Sequence, residues 1–289
     1  MTADLDTLLI ALYVFADELL PRRPRARRRP KITEAELVCL AVAQILLGIA
    51  SERQFLRFAM CRLGHLFPYL PKQPGYNKRM RALAPQIVRL LNLIAFSSPS
   101  WYDRVRLLDS TPVPVGASRE TVKRSAFAGI AAYGYCASHS RYFWGFRLYL
   151  LCASDGMPIC FELAPANAPE REVAAEMLRR VELEGYAVLT DKGFAGEEFE
   201  QLMRELGALF FRPDRKDEQP RFGNLGGVRQ WVESIIDTIK GQLSLEQHGA
   251  HTLPGLHTRI AQRLLALAAA LWHNWNTGQP GRHLTAYDH

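Results

Sequence analysis

The sequence predicts a mixed α/β chain preceded by an all-α region. Through the first hundred residues, apolar side chains recur at helical spacing. Near Trp101 the pattern changes to strand-like alternation, and the order becomes strand, strand, strand, helix, strand, helix, strand. Charge divides at the same place: residues 1–100 hold 15 basic and 7 acidic side chains, the rest 21 and 22.

The leading region reads as successive helices. Leu5, Leu8, Leu9, Leu12, Phe15 and Leu19 mark a helix over 4–20. Thr33 and Glu36 form a capping box opening a helix over 34–48, and Ser51 caps a third carrying Phe55, Phe58, Ala59 and Leu63. A fourth covers about 76–95. Between the first two lies Arg22–Lys31, with seven basic residues in ten positions, punctuated by Pro24 and Pro30. These residues (Arg22, Arg23, Arg25, Arg27, Arg28, Arg29 and Lys31) read as a linker that tracks phosphate, and nucleic acid is the partner they imply. Arg53 and Arg57, or Lys78, Arg79 and Arg81, are candidates to face DNA in a helix-turn-helix. A helical cap supporting dimerisation is the alternative.

Five strands follow: one around Val105–Asp109, two over 143–153 and 157–163 joined at Asp155-Gly156, one over 186–190 and one over 208–211. Helices are expected at 169–184, 197–206, 228–247 and 255–276. The domains are thus 1–100, helical and basic, and 101–289, α/β.

No apolar run reaches the ~18 residues of a membrane span. The acidic start (Asp4, Asp6, Asp17, Glu18) argues against an export signal. Five scattered cysteines suggest reduced thiols in a cytoplasm rather than a disulfide framework. Cys136 and His139 with Cys152 and Cys160 could be imagined as a zinc site, but the second pair has the wrong spacing and lies in expected strands, so the cysteines read as buried thiols. Tyr133, Tyr135, Tyr142, Phe143 and Trp144 read chiefly as sheet core.

Three carboxylates stand out. Asp109 ends the first strand, Asp191 ends the fourth, and Glu233 lies early in the helix after the fifth. Aspartates at the carboxyl ends of neighbouring strands point into one crevice. Such hard oxygen ligands suit Mg²⁺ or Mn²⁺, and two ions could clamp the attacking and leaving oxygens of a phosphoryl transfer. Each carboxylate taken alone reads as readily as a cap or a surface charge.

The motifs Leu107-Leu108-Asp109-Ser110-Thr111-Pro112-Val113, Leu189-Thr190-Asp191-Lys192-Gly193-Phe194 and Arg229-Gln230-Trp231-Val232-Glu233 continuing to Lys240 resemble those of bacterial insertion-sequence DDE transposases, most of all the insertion-sequence family numbered 982. Glu246-Gln247-His248-Gly249-Ala250 and Trp272-His273-Asn274 extend the likeness over nearly the whole chain.

The resemblance implies a ribonuclease-H-like catalytic domain in which Asp109, Asp191 and Glu233 bind two divalent ions. Arg229 and Lys240 match cations that flank the glutamate in relatives. Relatives usually carry a tyrosine three residues before the arginine, where this chain has Gly226. Arg229, Lys240 and Lys192 are candidates for DNA phosphate. The implied function is binding of terminal inverted repeats, DNA cleavage and strand transfer by a dimer on paired ends, in a bacterial, nucleoid-associated protein. The alternatives are a nuclease without strand transfer and a DNA-binding derivative without activity.

Overall fold

A computed structural model describes residues 4–20, 30–136, 140–215, 218, 219, 221 and 226–287, with the backbone alone at Gly226, Val228 and Arg229. The residues fall into two units, Met1–Ser97 with Ile239–His289, and Ser98–Thr238.

The first unit is helical. Helix α1 (Leu5–Leu19) is capped by Asp4, whose Oδ1 accepts from Thr7 N at 2.8 Å. Helix α2 (Glu34–Leu46) starts at the expected Thr33–Glu36 box, and its residues from Leu37 to Leu46 are all buried. Ser51 caps α3 (Glu52–Arg62). The single helix expected over 76–95 is two, α4 (Gln73–Ala82) and α5 (Ala84–Phe96). Pro85 divides them, because it offers no N–H and suits only a first helical turn.

Helix α10 (Leu253–Thr277) packs on α5, α2 and α1, and nearly every side chain from Ile260 to Leu271 is buried. The expected 101–289 domain placed this helix with the sheet. The structure groups it with the leading helices, whose apolar stripes it covers. Its charged positions are satisfied there: Arg259 pairs with Glu52, and Arg263 donates to Ser244 O and Gln247 O. Burial lowers the Arg263 pKa to about 10. Among the described residues, no helix is long and apolar enough to cross a membrane.

The second unit is a mixed sheet flanked by helices. Its strands are β1 (Val105–Gly116), β2 (Ala132–Cys136), β3 (Arg141–Ala153), β4 (Pro158–Pro165), β5 (Ala187–Thr190) and β6 (Leu209–Phe211). The five expected strands are present, and β2 adds a sixth. The sheet order is β2-β3-β1-β5-β6, with β4 also on β3. Strand β3 runs antiparallel to its neighbours β1 and β4, whereas β5 and β6 run parallel to β1. Asp155-Gly156 makes the β3–β4 turn, with Gly156 at φ +96° and Asp155 Oδ1 accepting from Met157 N.

Strand β1 continues past Asp109 to Gly116, so that aspartate lies mid-strand rather than at its end. Beyond Leu108, β1 pairs with β3 alone, and there Pro112 and Pro114 cost no bond on the β5 side. A short helix α6 (Arg119–Arg124) leads to β2. Helix α7 (Glu170–Leu178) packs on β4, and α8 (Glu197–Glu205) on β6. Helix α9 (Gly226–Asp237) packs on β1 and β5. The helix expected over 228–247 stops there, and Thr238–Gln242 form a π-helical turn.

Candidate functional site

The parallel pairing of β1 and β5 positions two of the expected carboxylates. Leu107 faces Leu189 and Leu108 faces Thr190 in register. Asp109 and Asp191 are each the next residue, so they stand at one level where strands lie about 4.8 Å apart. Side chains alternate along strands, so both aspartates fall on the face shared by Leu107 and Leu189. Asp109 Oδ1 accepts from Ser110 N at 2.8 Å. Asp191 caps the 3-10 turn Lys192–Phe194, and its Oδ1 accepts from Gly193 N at 2.7 Å.

Glu233 lies on the helix that covers these strands. Val232, Ile235 and Ile236 are the buried stripe of α9, and Glu233 is exposed on its flank, about 100° round from Val232. Among the described residues, no three His, Cys, Asp or Glu side chains are gathered as they would be around a metal ion. The strand register sets Asp109 and Asp191 at the same step of neighbouring chain segments, and Glu233 lies on the helix that packs on both strands. Two carboxylates at one register level do fit a hard divalent cation, whose preferred ligands are oxygens.

Lys192 is exposed beside Asp191. Arg229 opens the same helix as Glu233, with its backbone alone described. Lys240 falls in the π-helical turn and in the helical unit, so the α-helical i, i+7 spacing from Glu233 is not kept. Arg22, Arg23, Arg25, Arg27, Arg28 and Arg29 lie outside the described residues. Lys31 is exposed, its ammonium 5.2 Å from the Tyr69 ring centre. Arg53, Arg57, Lys78 and Arg81 are exposed on α3 and α4, whereas Arg79 donates to Ile32 O.

The aromatic reading changes. Phe143 and Trp144 are core, but Tyr133, Tyr135 and Tyr142 are exposed. Strand β2 presents alternate residues to solvent, burying Gly134 and Cys136 instead. Of the cysteines read as buried thiols, Cys136 and Cys152 are buried, whereas Cys160 is only partly buried, its thiol pKa pushed up to about 12 by desolvation.

Sequence reasoning missed Glu170, Ser110 and Arg147. Ser110 Oγ donates a short hydrogen bond to Glu170 Oε1, and Arg147 Nη1 donates to that Ser110 Oγ at 3.3 Å. Burial, with the Glu170 carboxylate nearby, raises the buried Tyr149 hydroxyl to about 12. An acid at the first position of a helix reads as a partner for the helix dipole, which masks any other role.

A mixed sheet in this order, with aspartates level on adjacent parallel strands and a helix laid across them, defines a ribonuclease-H-like domain. Residues 101–269 match the family described as Transposase DDE domain, and the chain belongs to that family. It is accordingly an enzyme acting on DNA. Among curated proteins, none matches the chain.

Proposed function

We propose that this protein is the transposase of an insertion sequence of the family numbered 982, and that Asp109, Asp191 and Glu233 form its catalytic triad. The parallel register of β1 and β5, which ends at Leu108 and Thr190 one residue before Asp109 and Asp191 and lies inside the matched region, is the observation that carries this reading. The helical unit and the basic tract 22–31 bind the element's terminal inverted repeats and hold DNA phosphate. Lys192, Arg229 and Lys240 serve as further phosphate contacts. Two copies act on paired ends.

The chemistry is two in-line displacements at phosphorus. Water opens the phosphodiester at each end and leaves a 3′-hydroxyl. That hydroxyl then attacks a target phosphodiester, forming one phosphorus–oxygen bond as another breaks. Mg²⁺ or Mn²⁺, two ions held by the three carboxylates, would supply positive charge at the reacting phosphate and a more acidic attacking hydroxyl. The chain's own part is to hold the aspartates on a rigid sheet. Ladders on both sides hold β1 up to Leu108, pairing with Leu150 of β3 holds Asp109, and the Lys192–Phe194 turn fixes Asp191.

The test is incubation of the protein with DNA carrying the element's own ends, target DNA and Mg²⁺. Joined products are expected. Cleavage without joining would indicate a ribonuclease-H-like nuclease instead, and shifted but uncut DNA a binding derivative without activity.

A further inference from the structure

Glu170 begins α7 and its carboxylate faces two segments. On one side Ser110, the residue after Asp109, donates to its Oε1. Arg147 reinforces this contact, lying 3.9 Å from the same oxygen and donating to Ser110 Oγ, while its Nη2 is fixed on Tyr135 O at 2.7 Å. On the other side is the turn after Asp191. A Cβ added to Gly193 would stand 3.4 Å from Glu170 Oε2 and 2.9 Å from Asp191 Oδ1. Helix α7 is tied to the same turn once more, because Arg171 Nη1 donates to Ala195 O at 3.0 Å.

A favourable helix dipole accounts for an acid at this position. It does not account for the hydrogen bond from β1, or for the approach of the Glu170 carboxylate to the turn that Asp191 caps. We propose that Glu170 is a positioning residue: with Ser110 and Arg147 it braces β1 against the turn after β5 and sets the separation of Asp109 and Asp191. The proposal rests on the reading of those aspartates as the catalytic pair. It is a hydrogen-bonding role behind the ligands, in which loss of an outer partner commonly weakens metal binding about 10–100-fold.

The experiment is calorimetric titration of the full chain with Mn²⁺ in the absence of DNA, with thermal melting followed in parallel. Glu170→Gln keeps an oxygen that accepts from Ser110 but removes the charge, so its Mn²⁺ affinity stays within about twofold of the parent. Glu170→Ala and the milder Ser110→Ala lose the brace and bind about tenfold more weakly, with Ser110→Ala melting as the parent does. Parental affinity in both alanine variants overturns the proposal. A Glu170→Gln loss as large as that of Glu170→Ala also overturns it, since the carboxylate would then act through its charge. Asp109→Asn and Asp191→Asn separate the two levels: if they bind Mn²⁺ as the parent does, the aspartate pair itself is misassigned.

Discussion

Gly193 shows how little room the proposed site leaves. Its φ is not in the left-handed region, so a side chain there would cost space rather than backbone strain. A Gly193→Ala methyl would press on Asp191 Oδ1 and displace it, and overpacking of this kind costs about 1–3 kcal/mol in a packed setting. At this half-open turn we expect a loss near the low end, seen by chemical denaturation, with a larger loss in DNA cleavage. Arg212 is a second residue that decides local structure. It is 3% exposed and holds Glu200 and Glu218 at 2.7 and 2.6 Å. Removing one partner of a buried pair costs about 3–5 kcal/mol. Both glutamates keep part of their hydration, so Arg212→Met is expected to cost roughly 2 kcal/mol in urea unfolding.

At the scale of elements, this cluster pins the segment after β6 to α8, and its pH response follows from Glu218. The Arg212 guanidinium and the Arg215 amide hold the Glu218 pKa at about 2, below its ordinary 4.5. A lowered carboxyl contributes stability in full above about 4.5, and loses it as pH falls towards about 2. The Arg215 amide, which donates to Glu218 Oε2 at 2.8 Å, should lose hydrogen-exchange protection across that window and keep it at neutral pH. Helix α10 makes a different claim. Leu264 is fully buried in it, so Leu264→Ala should cost about 2–5 kcal/mol through lost contact and a residual cavity.

The elements also show what was legible. Caps and periodic leucines announced α1, α2 and α3, because these signals act within a few residues of themselves. Helix α6 and strand β2 went unread over 112–142, where prolines sit in a strand paired on one side only and exposed tyrosines alternate with Gly134 and Cys136. The packing of α10 was unread for another reason: an apolar helix names no partner. Asp109 and Asp191 were legible because each ends a hydrophobic run. Glu170 was not, since its contacts are made with Ser110 and Gly193, 60 and 23 residues away in the chain.

For the whole molecule, charge and chemistry divide. The excess of +7 equals the seven basic residues of Arg22–Lys31, while the remainder of the chain is balanced. Deleting residues 22–31 should weaken binding to every DNA sequence by a similar factor and reduce the slope of log affinity against log salt, as loss of phosphate contacts does. Fluorescence anisotropy at several salt concentrations measures both. An unchanged slope would place the phosphate contacts elsewhere.

The central claim is that Asp109 and Asp191, level on neighbouring strands, perform the chemistry of a DNA-cleaving enzyme. Single-turnover cleavage of DNA bearing the element's ends, compared among the parent, Asp109→Asn and Asp191→Asn, tests it most directly. The account predicts that each variant binds this DNA as the parent does and cleaves it about a hundredfold or more slowly, as expected when a group acting electrostatically at the reacting phosphate is lost. Cleavage by either variant at the parental rate would contradict it.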